Sequence, residues 1–287
     1  MGPVLFMIYI NDLVNDLECP ILLFADDAKI FKEIRSQEDI EAMQRDLKKL
    51  ETWSVKWLLN FNADKCVTMH IGHRNPHVDY ALNRTQLRES SLEKDLGVYV
   101  SADMKPSQHV NIAAAKGNRM VGLIKRHFPE IDQDTCCTLY CALVRPHLEY
   151  AVQCWSPYYR KNIAELETVQ RRMTKLVLGL MDLEYEERCE RLGITTLEKR
   201  RRRGDLIETY KILNGFENVE YKLFFEYSNS NTRSNTCKLK KRGQWRTLVR
   251  ANAFSVRVVN SWNSLPEDVV NAPTVSLFKA RLDRCDY

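Results

Sequence analysis

With 44% hydrophobic and 28% charged residues among 287, the chain is excluded from the disordered and low-complexity classes and is long enough for two domains of ordinary size. No apolar run approaches the roughly 18 residues of a membrane span. The N-terminus also lacks the basic region and cleavage site of a secretory signal. Nine cysteines, an odd number with no CxxC pair, favour free and mostly buried thiols in a reducing compartment, so an intracellular protein, nuclear or cytoplasmic, is expected. The formal charge of +5 is uneven: residues 1–110 hold 13 Lys+Arg against 17 Asp+Glu, and the remainder holds 30 against 21. A net of +9 on the C-terminal portion suits an acidic partner such as nucleic acid, or is an ordinary solvated surface.

Gly2 to Leu13 opens the chain as a helix, with Pro3 suited to its first turn. It is apolar almost all round, which assigns it to a core. A chain that begins so hydrophobic, without a polar cap, is expected to be cut into an existing domain. Ile21–Phe24 then runs at strand length into Asp26 and Asp27, and Ala28–Phe31 continues as a second strand. Adjacent carboxylates at such a reversal are either a solvated turn or a pair of hard oxygen ligands of the kind Mg²⁺ takes. Ser36 can cap a helix reaching about Leu58, with Trp53 and Trp57 on its apolar face as core anchors rather than as a base-stacking platform.

Asn60–Asp64 is a loop, followed by predicted strands at Cys66–Ile71, Val78–Leu82 and Leu96–Val100. Cys66, His70, His73 and His77 offer metal ligands, but their spacing does not match a standard zinc site. From Pro106 the pattern turns helical. Ser107 caps a helix to about His127, and Asp132 or Asp134 starts another that Arg145-Pro146 ends or bends. Asn162 starts a helix to Leu178, Glu184–Leu192 is a short one, and Thr195 or Thr196 caps one to Leu213. Residues 217–247 are a loop-rich connector containing Asn229-Ser230-Asn231 and the basic run Lys238–Arg242. Helices are expected again at Ala251–Asn263 and Thr274–Leu282, packed by Trp245 and Trp262.

The order and spacing of Gly2–Leu13, Phe24-Ala25-Asp26-Asp27, Trp53-x3-Trp57, Asn60-Phe61-Asn62-x2-Lys65-Cys66 and Lys94-Asp95-Leu96-Gly97-Val98 resembles the C-terminal half of a non-LTR, LINE-type retrotransposon reverse transcriptase. In that likeness Gly2–Leu13 is the end of motif B and Phe24–Asp27 is motif C. Asn60–Cys66 is motif D, Lys94–Val98 the primer grip, and the helices after Pro106 the thumb. The resemblance implies an α+β fold, a partial antiparallel palm sheet with packed helices followed by a mainly helical thumb-like and C-terminal region. The expected divisions are 1–105, 106–215 and 216–287.

It implies two-metal nucleotidyl transfer extending a DNA primer on an RNA template, with Mg²⁺ on Asp26 and Asp27. Lys65 would protonate the leaving pyrophosphate, and Lys94 to Gly97 would lie under the primer strand. The family's third metal-binding aspartate, in motif A, and its fingers precede motif B and are absent from this sequence, so the polypeptide alone is expected to be inactive. A different reading is a non-catalytic nucleic-acid-binding module. It would use Arg171, Arg172 and Lys175 on one helix, with Arg200, Arg201, Arg202 and Arg203 on another, to contact phosphates without reading sequence.

Overall fold

The computed structural model describes residues 2–228, 235–241, 243 and 245–285. The sequence reading at Asn229-Ser230-Asn231, and Arg242 of the basic run, lie outside the described residues. Two compact units result, one of residues 1–93 with 101–104 and one of residues 94–100 with 105–287. The architecture is α+β, with short two-stranded ladders in the first unit and helices filling the second.

In the first unit, helix α1 (Gly2–Ile10) passes through a 3₁₀ turn to strands β1 (Ile21–Phe24) and β2 (Asp27–Ile30), then to helix α2 (Gln37–Trp57). α2 starts where expected because Ser36 and Asp39 form a reciprocal capping box: Asp39 N–H donates to Ser36 Oγ at 3.3 Å and Ser36 N–H to Asp39 Oδ2 at 3.0 Å. It stops at Leu58, which turns left-handed at φ 55°. The buried face carries Leu47 and Leu50, against which Ile10, Leu13, Ile21, Leu23 and Ile30 pack. Trp53 packs against this core and its Nε1 donates to Asp12 Oδ1 at 3.0 Å, whereas Trp57 meets Tyr9 edge-on at 5.3 Å outside the cluster.

α1 departs from the buried helix expected. Val4, Leu5 and Ile8 are 60–69% exposed, and Ile10 is its one buried residue. Only one side of a helix can meet α2, so an all-round apolar sequence leaves the other side uncovered among the described residues.

Of the strands expected here, Cys66–Ile71 shortens to β3 (Val67–Thr68) and Val78–Leu82 to β4 (Ala81–Leu82), while β5 (Thr85–Gln86) and β6 (Arg88–Glu89) are additional to them. Leu96–Val100 is corrected to a hairpin, β7 (Leu92–Asp95) and β8 (Val98–Ser101), with Leu96 and Gly97 in its loop. β1–β2 and β4–β5 are antiparallel, whereas β3 and β6 pair in parallel, with Thr68 opposite Glu89. β3 stops at Thr68 because its ladder partner β6 is itself only Arg88–Glu89.

The second unit holds α3 (Ser107–His127), α4 (Gln133–Leu139), α5 (Arg145–Glu149), α6 (Val152–Trp155), α7 (Arg160–Thr174), α8 (Tyr185–Arg191), α9 (Leu197–Leu213), α10 (Leu248–Ala251), α11 (Phe254–Asn263), α12 (Glu267–Val270) and α13 (Val275–Leu282). Pro146 bends the chain without ending it. A π-helical turn at Tyr140–Val144 lies between α4 and α5, with Arg145 N–H donating to Tyr140 O immediately before the proline, which has no N–H to donate. Asn162 does not cap α7; it lies inside the first turn and donates from Nδ2 to Ser107 Oγ at 2.8 Å, tying α7 to α3.

α3 crosses α5 and α7 closely at Gly117, where an added Cβ would stand 3.0 Å from both Leu148 Cδ2 and Val169 Cγ1. One hydrophobic cluster centres on Val110, Ile124, Leu148, Leu166 and Met173. A second gathers Leu206, Tyr210, Trp262 and Phe278. α9 contributes to both, with Leu197 in the first and Leu206 in the second. No helix among the described residues is long and apolar enough to cross a membrane.

Candidate active site and nucleic-acid interface

The β1–β2 ladder closes with Phe24 opposite Asp27, so Ala25 and Asp26 form a two-residue loop. Such loops need a residue at positive φ, a place usually taken by glycine; here Ala25 adopts it at φ 51°. Asp26 therefore belongs to the loop and Asp27 opens β2, both exposed. The alternation of the strands sets the hairpin on its base: Ile21, Leu23 and Ile30 turn to the core, while Leu22 and Phe24 turn to solvent.

A second anchor, not visible in the sequence pattern, is Asp46 of α2. Its buried Oδ2 accepts from Glu18 N–H at 2.8 Å and Cys19 N–H at 2.7 Å, immediately before β1, while Lys49 Nζ bonds Oδ1 at 2.8 Å. Burial alone would raise the Asp46 pKa, but Lys49 and these amides outweigh it and hold the carboxyl below its ordinary value. The signal that could have found Asp46 is a lone carboxylate on the otherwise apolar face of α2.

Two adjacent carboxylates fit a Mg²⁺ ion in ligand type, since Mg²⁺ is usually held by one or two carboxylates with substrate phosphates and water. They do not complete a site. Among the described residues, the one group of three close His, Cys, Asp or Glu ligand atoms lies elsewhere, at His70, His77 and Glu89. Lys65 is exposed on the turn that precedes β3, its own N–H bonded to Asn62 O at 3.0 Å.

In the second unit, Leu96 and Gly97 form the two-residue loop between β7 and β8, at φ 45° and 88°. Positive φ at both positions is the geometry that matches strand twist in a hairpin. Tyr150 holds this loop: its OH donates to Leu96 O at 3.0 Å, and a Cβ on Gly97 would stand 3.0 Å from its ring. Lys94 is exposed beside the loop.

Beneath it, Tyr99 N–H donates to His109 Nδ1 at 3.0 Å, and the buried His109 ring lies 4.4 Å from Trp155. Burial, assisted by the charge of Lys116, lowers the His109 pKa from 6.5 to about 4. The unfolded chain therefore binds a proton that the fold refuses between those values. The contribution of neutral His109 to stability is fully present above pH 6.5 and is lost as pH falls towards 4. At about 1.4 kcal/mol per unit this amounts to roughly 3–4 kcal/mol. His109→Gln is expected to flatten urea-unfolding midpoints between pH 7 and pH 4.5; an unchanged pH slope overturns the assignment.

The basic residues are dispersed rather than aligned. On α7, Arg171 stacks over the Tyr185 ring at 4.5 Å, Arg172 Nη1 donates to Asn118 Oδ1 at 2.9 Å, and Lys175 is exposed at the helix end. On α9, successive side chains turn by about 100° each, so a run of four covers every side of the helix. Arg201 is 4% exposed and its two Nη atoms have no hydrogen-bond partner among the described residues. Arg200 pairs with Glu149 through Nη2 at 3.0 Å, Arg202 with Glu198 at 2.9 Å, and Arg203 Nε with Asp283 at 2.6 Å. Arg200 and Arg203 nevertheless join Arg145 and Lys199 around a cavity of about 420 Å³ that also touches Tyr140 and Asp283. Of Arg171, Arg172, Lys175 and Arg200–Arg203, the basic residues the sequence pattern singled out, this cavity gathers only Arg200 and Arg203.

Residues 1–114 match the reverse transcriptase (RNA-dependent DNA polymerase) family profile. Those 114 residues belong to the reverse transcriptase family. The segment includes α1, the Asp26–Asp27 hairpin, Lys65 and the Leu96–Gly97 loop. Over 215 residues, 67% of this chain, the sequence is 25% identical to the RNA-directed DNA polymerase from mobile element jockey of Drosophila funebris. It is 21% identical over 214 residues to the polymerase of the same name from Drosophila melanogaster. The match spans 23% of the length of each of these relatives. No solved structure matches the chain significantly.

Proposed function

We propose that this chain carries half of the catalytic carboxylate set, and the primer-side support, of a LINE-type RNA-directed DNA polymerase. The observation that carries the reading is the pair Asp26–Asp27 at the exposed tip of a two-residue hairpin loop, inside the reverse transcriptase segment. Asp26 and Asp27 hold the divalent cation, which when bound supplies activation of the primer 3′-hydroxyl and charge stabilisation at the triphosphate. Lys65, exposed on its turn, donates a proton to the departing pyrophosphate. The Lys94–Gly97 loop, kept rigid by its backbone and by Tyr150, bears the primer strand against an RNA template.

Two carboxylates supply few of the fixed ligands that the octahedral shell of Mg²⁺ takes, so no polymerisation by the polypeptide alone is expected. The test is primer extension on an RNA template with Mg²⁺ and dNTPs. The chain alone is expected to give no product. The jockey polymerase, with this chain in place of the segment it matches, is expected to incorporate nucleotides in a manner that depends on Asp26 and Asp27. Robust synthesis by the chain alone removes the inactivity claim.

The cations at the α9 cavity favour an accompanying, non-catalytic role in holding the nucleic-acid backbone. There Arg145, Lys199, Arg200 and Arg203 outnumber Glu149 and Asp283, so an excess of positive charge faces the opening. Phosphate contacts release counterions, and affinity then falls with salt by nearly one unit of log–log slope per neutralised phosphate on duplex DNA. Filter binding of an RNA–DNA primer–template is expected to show such a slope, reduced by about 1 in Lys199→Ala. Absence of binding at low salt removes this role and leaves the polymerase reading untouched.

A further inference from the structure

Outside the reverse transcriptase carboxylates, one cluster combines side chains that ligate metals with a geometry that already assembles them. His70 lies just past β3, His77 at the end of the loop that follows, and Glu89 on β6, the parallel partner of β3. Their ligand atoms all lie within 4.8 Å of one another. The two imidazole centroids are 4.8 Å apart, and His77 Nδ1 is 2.9 Å from Glu89 Oε1.

The placement is built rather than incidental. Thr68 stands opposite Glu89 in the ladder, and Ser90 N–H donates to Thr68 O at 2.9 Å, fixing the strand that carries Glu89 against the one that leads to His70. His70 is 8% exposed and stacked with Tyr80 at 6.4 Å, so its ring has few orientations open to it. His77 adopts the left-handed φ of 51°, which histidine takes more readily than most residues, and its N–H donates to Asn75 Oδ1 at 3.1 Å. That turn brings the His77 ring back over Glu89 and His70.

We propose that His70, His77 and Glu89 bind a divalent transition-metal cation of the zinc class. Two imidazoles and one carboxylate are a zinc ligand set that leaves the fourth tetrahedral position open. Nitrogen donors disfavour Mg²⁺ and Ca²⁺, which take oxygen. His77 and Glu89 are each more than half exposed, so the fourth position faces solvent and is filled by water. The bound ion clasps residues 71–77 to β6, closing a loop that, among the described residues, the His77–Glu89 hydrogen bond and the short parallel ladder already bring to β6. The ion also joins two imidazoles and a carboxylate that no linear zinc signature contains, because Glu89 reaches the pair only through the β3–β6 ladder.

The test uses the full chain with Zn²⁺, and Co²⁺ as its spectroscopic substitute. One equivalent of Co²⁺ is expected to bind with the visible absorption of a four-coordinate N/O site and to be displaced by Zn²⁺. Zn²⁺ is expected to slow tryptic cleavage after Arg74, in the clasped loop. Glu89→Gln and His77→Ala change exposed residues and leave the fold intact; each is expected to weaken binding at least about a hundredfold, since losing even an outer-shell partner of a metal site costs 10–100-fold. Each variant is also expected to abolish the protection of Arg74. His70→Ala has the same effect on binding but changes a buried position, so its unfolding midpoint is measured alongside. Absence of Co²⁺ binding overturns the proposal, as does binding that survives both exposed-residue substitutions.

Discussion

In the jockey polymerase carrying this chain, Asp26→Asn and Asp27→Asn each lower nucleotide incorporation about a thousandfold. Asparagine keeps the size of the side chain and removes its charge, so the hairpin persists while the hard anionic ligand is lost. Several kcal/mol of transition-state charge stabilisation depend on a metal clamp, and about 1.4 kcal/mol corresponds to a tenfold rate change. The structure supplies the control. Both side chains are exposed and neither belongs to the hydrophobic cluster of Ile21, Leu23 and Ile30, so unfolding midpoints move little. Incorporation within a factor of ten of the parent chimaera in both variants removes the polymerase assignment of these two residues. The same chimaera with Lys65→Ala is expected to lose about a hundredfold, the lower end of what a positioned proton donor contributes.

Arg257→Met is expected to lower the stability of the helical unit by about 3–5 kcal/mol. Arg257 on α11 forks onto Asp205 of α9, with Nε to Oδ2 at 2.8 Å and Nη2 to Oδ1 at 2.9 Å. Its remaining donors reach Asn252 O at 3.0 Å and Gln153 O at 3.1 Å, so one side chain joins α9, α11 and the end of α10 to α6. Asp205 is buried, and burial pushes its carboxyl pKa up, opposed by Arg257. Removing the arginine leaves a carboxylate with neither water nor partner, which is the costly half of a buried ion pair.

The double variant Asp205→Leu/Arg257→Met is expected to recover most of the loss, because an apolar pair of similar volume carries no desolvation penalty. Urea unfolding of the four proteins measures this directly. A single variant within about 0.5 kcal/mol of the parent, the range of an ordinary surface substitution, overturns the assignment. Arg201, one helical turn before Asp205 on α9 but without hydrogen-bond partners for its Nη atoms, has its pKa lowered by burial; its charge is a cost that the fold tolerates.

Local signals and long-range ones separate cleanly along this chain. The capping box at Ser36, the apolar stripe of α2 and the cap at Thr196 act within one helical turn, and each helix starts where its sequence sets it. The Phe24–Asp27 reversal is equally local: strand-length apolar runs on either side of two carboxylates leave few places for the turn. What the local pattern could not supply was how residues far apart meet. Periodicity made α1 a core helix, yet its exposure is set by how much of its circumference α2 can cover. The run Arg200–Arg203 looked like one basic surface, yet helical geometry divides it between the interior, two ion pairs with distant acids and one pair within α9.

The sequence by itself determined the class of the chain, the reverse transcriptase motifs and their order, and the carboxylates on which the proposed chemistry rests. Those features depend on residue type and short spacing, which are properties of the chain alone. Only the tertiary structure decided that Asp46 anchors the base of the Asp26–Asp27 hairpin. The fold likewise sets the Lys94–Gly97 loop on Tyr150 and His109, and joins His70 and His77 to Glu89. Each of these depends on contacts between residues 10 to 54 apart in sequence. Such contacts exist only once burial of the apolar faces has fixed the helices and strands against one another.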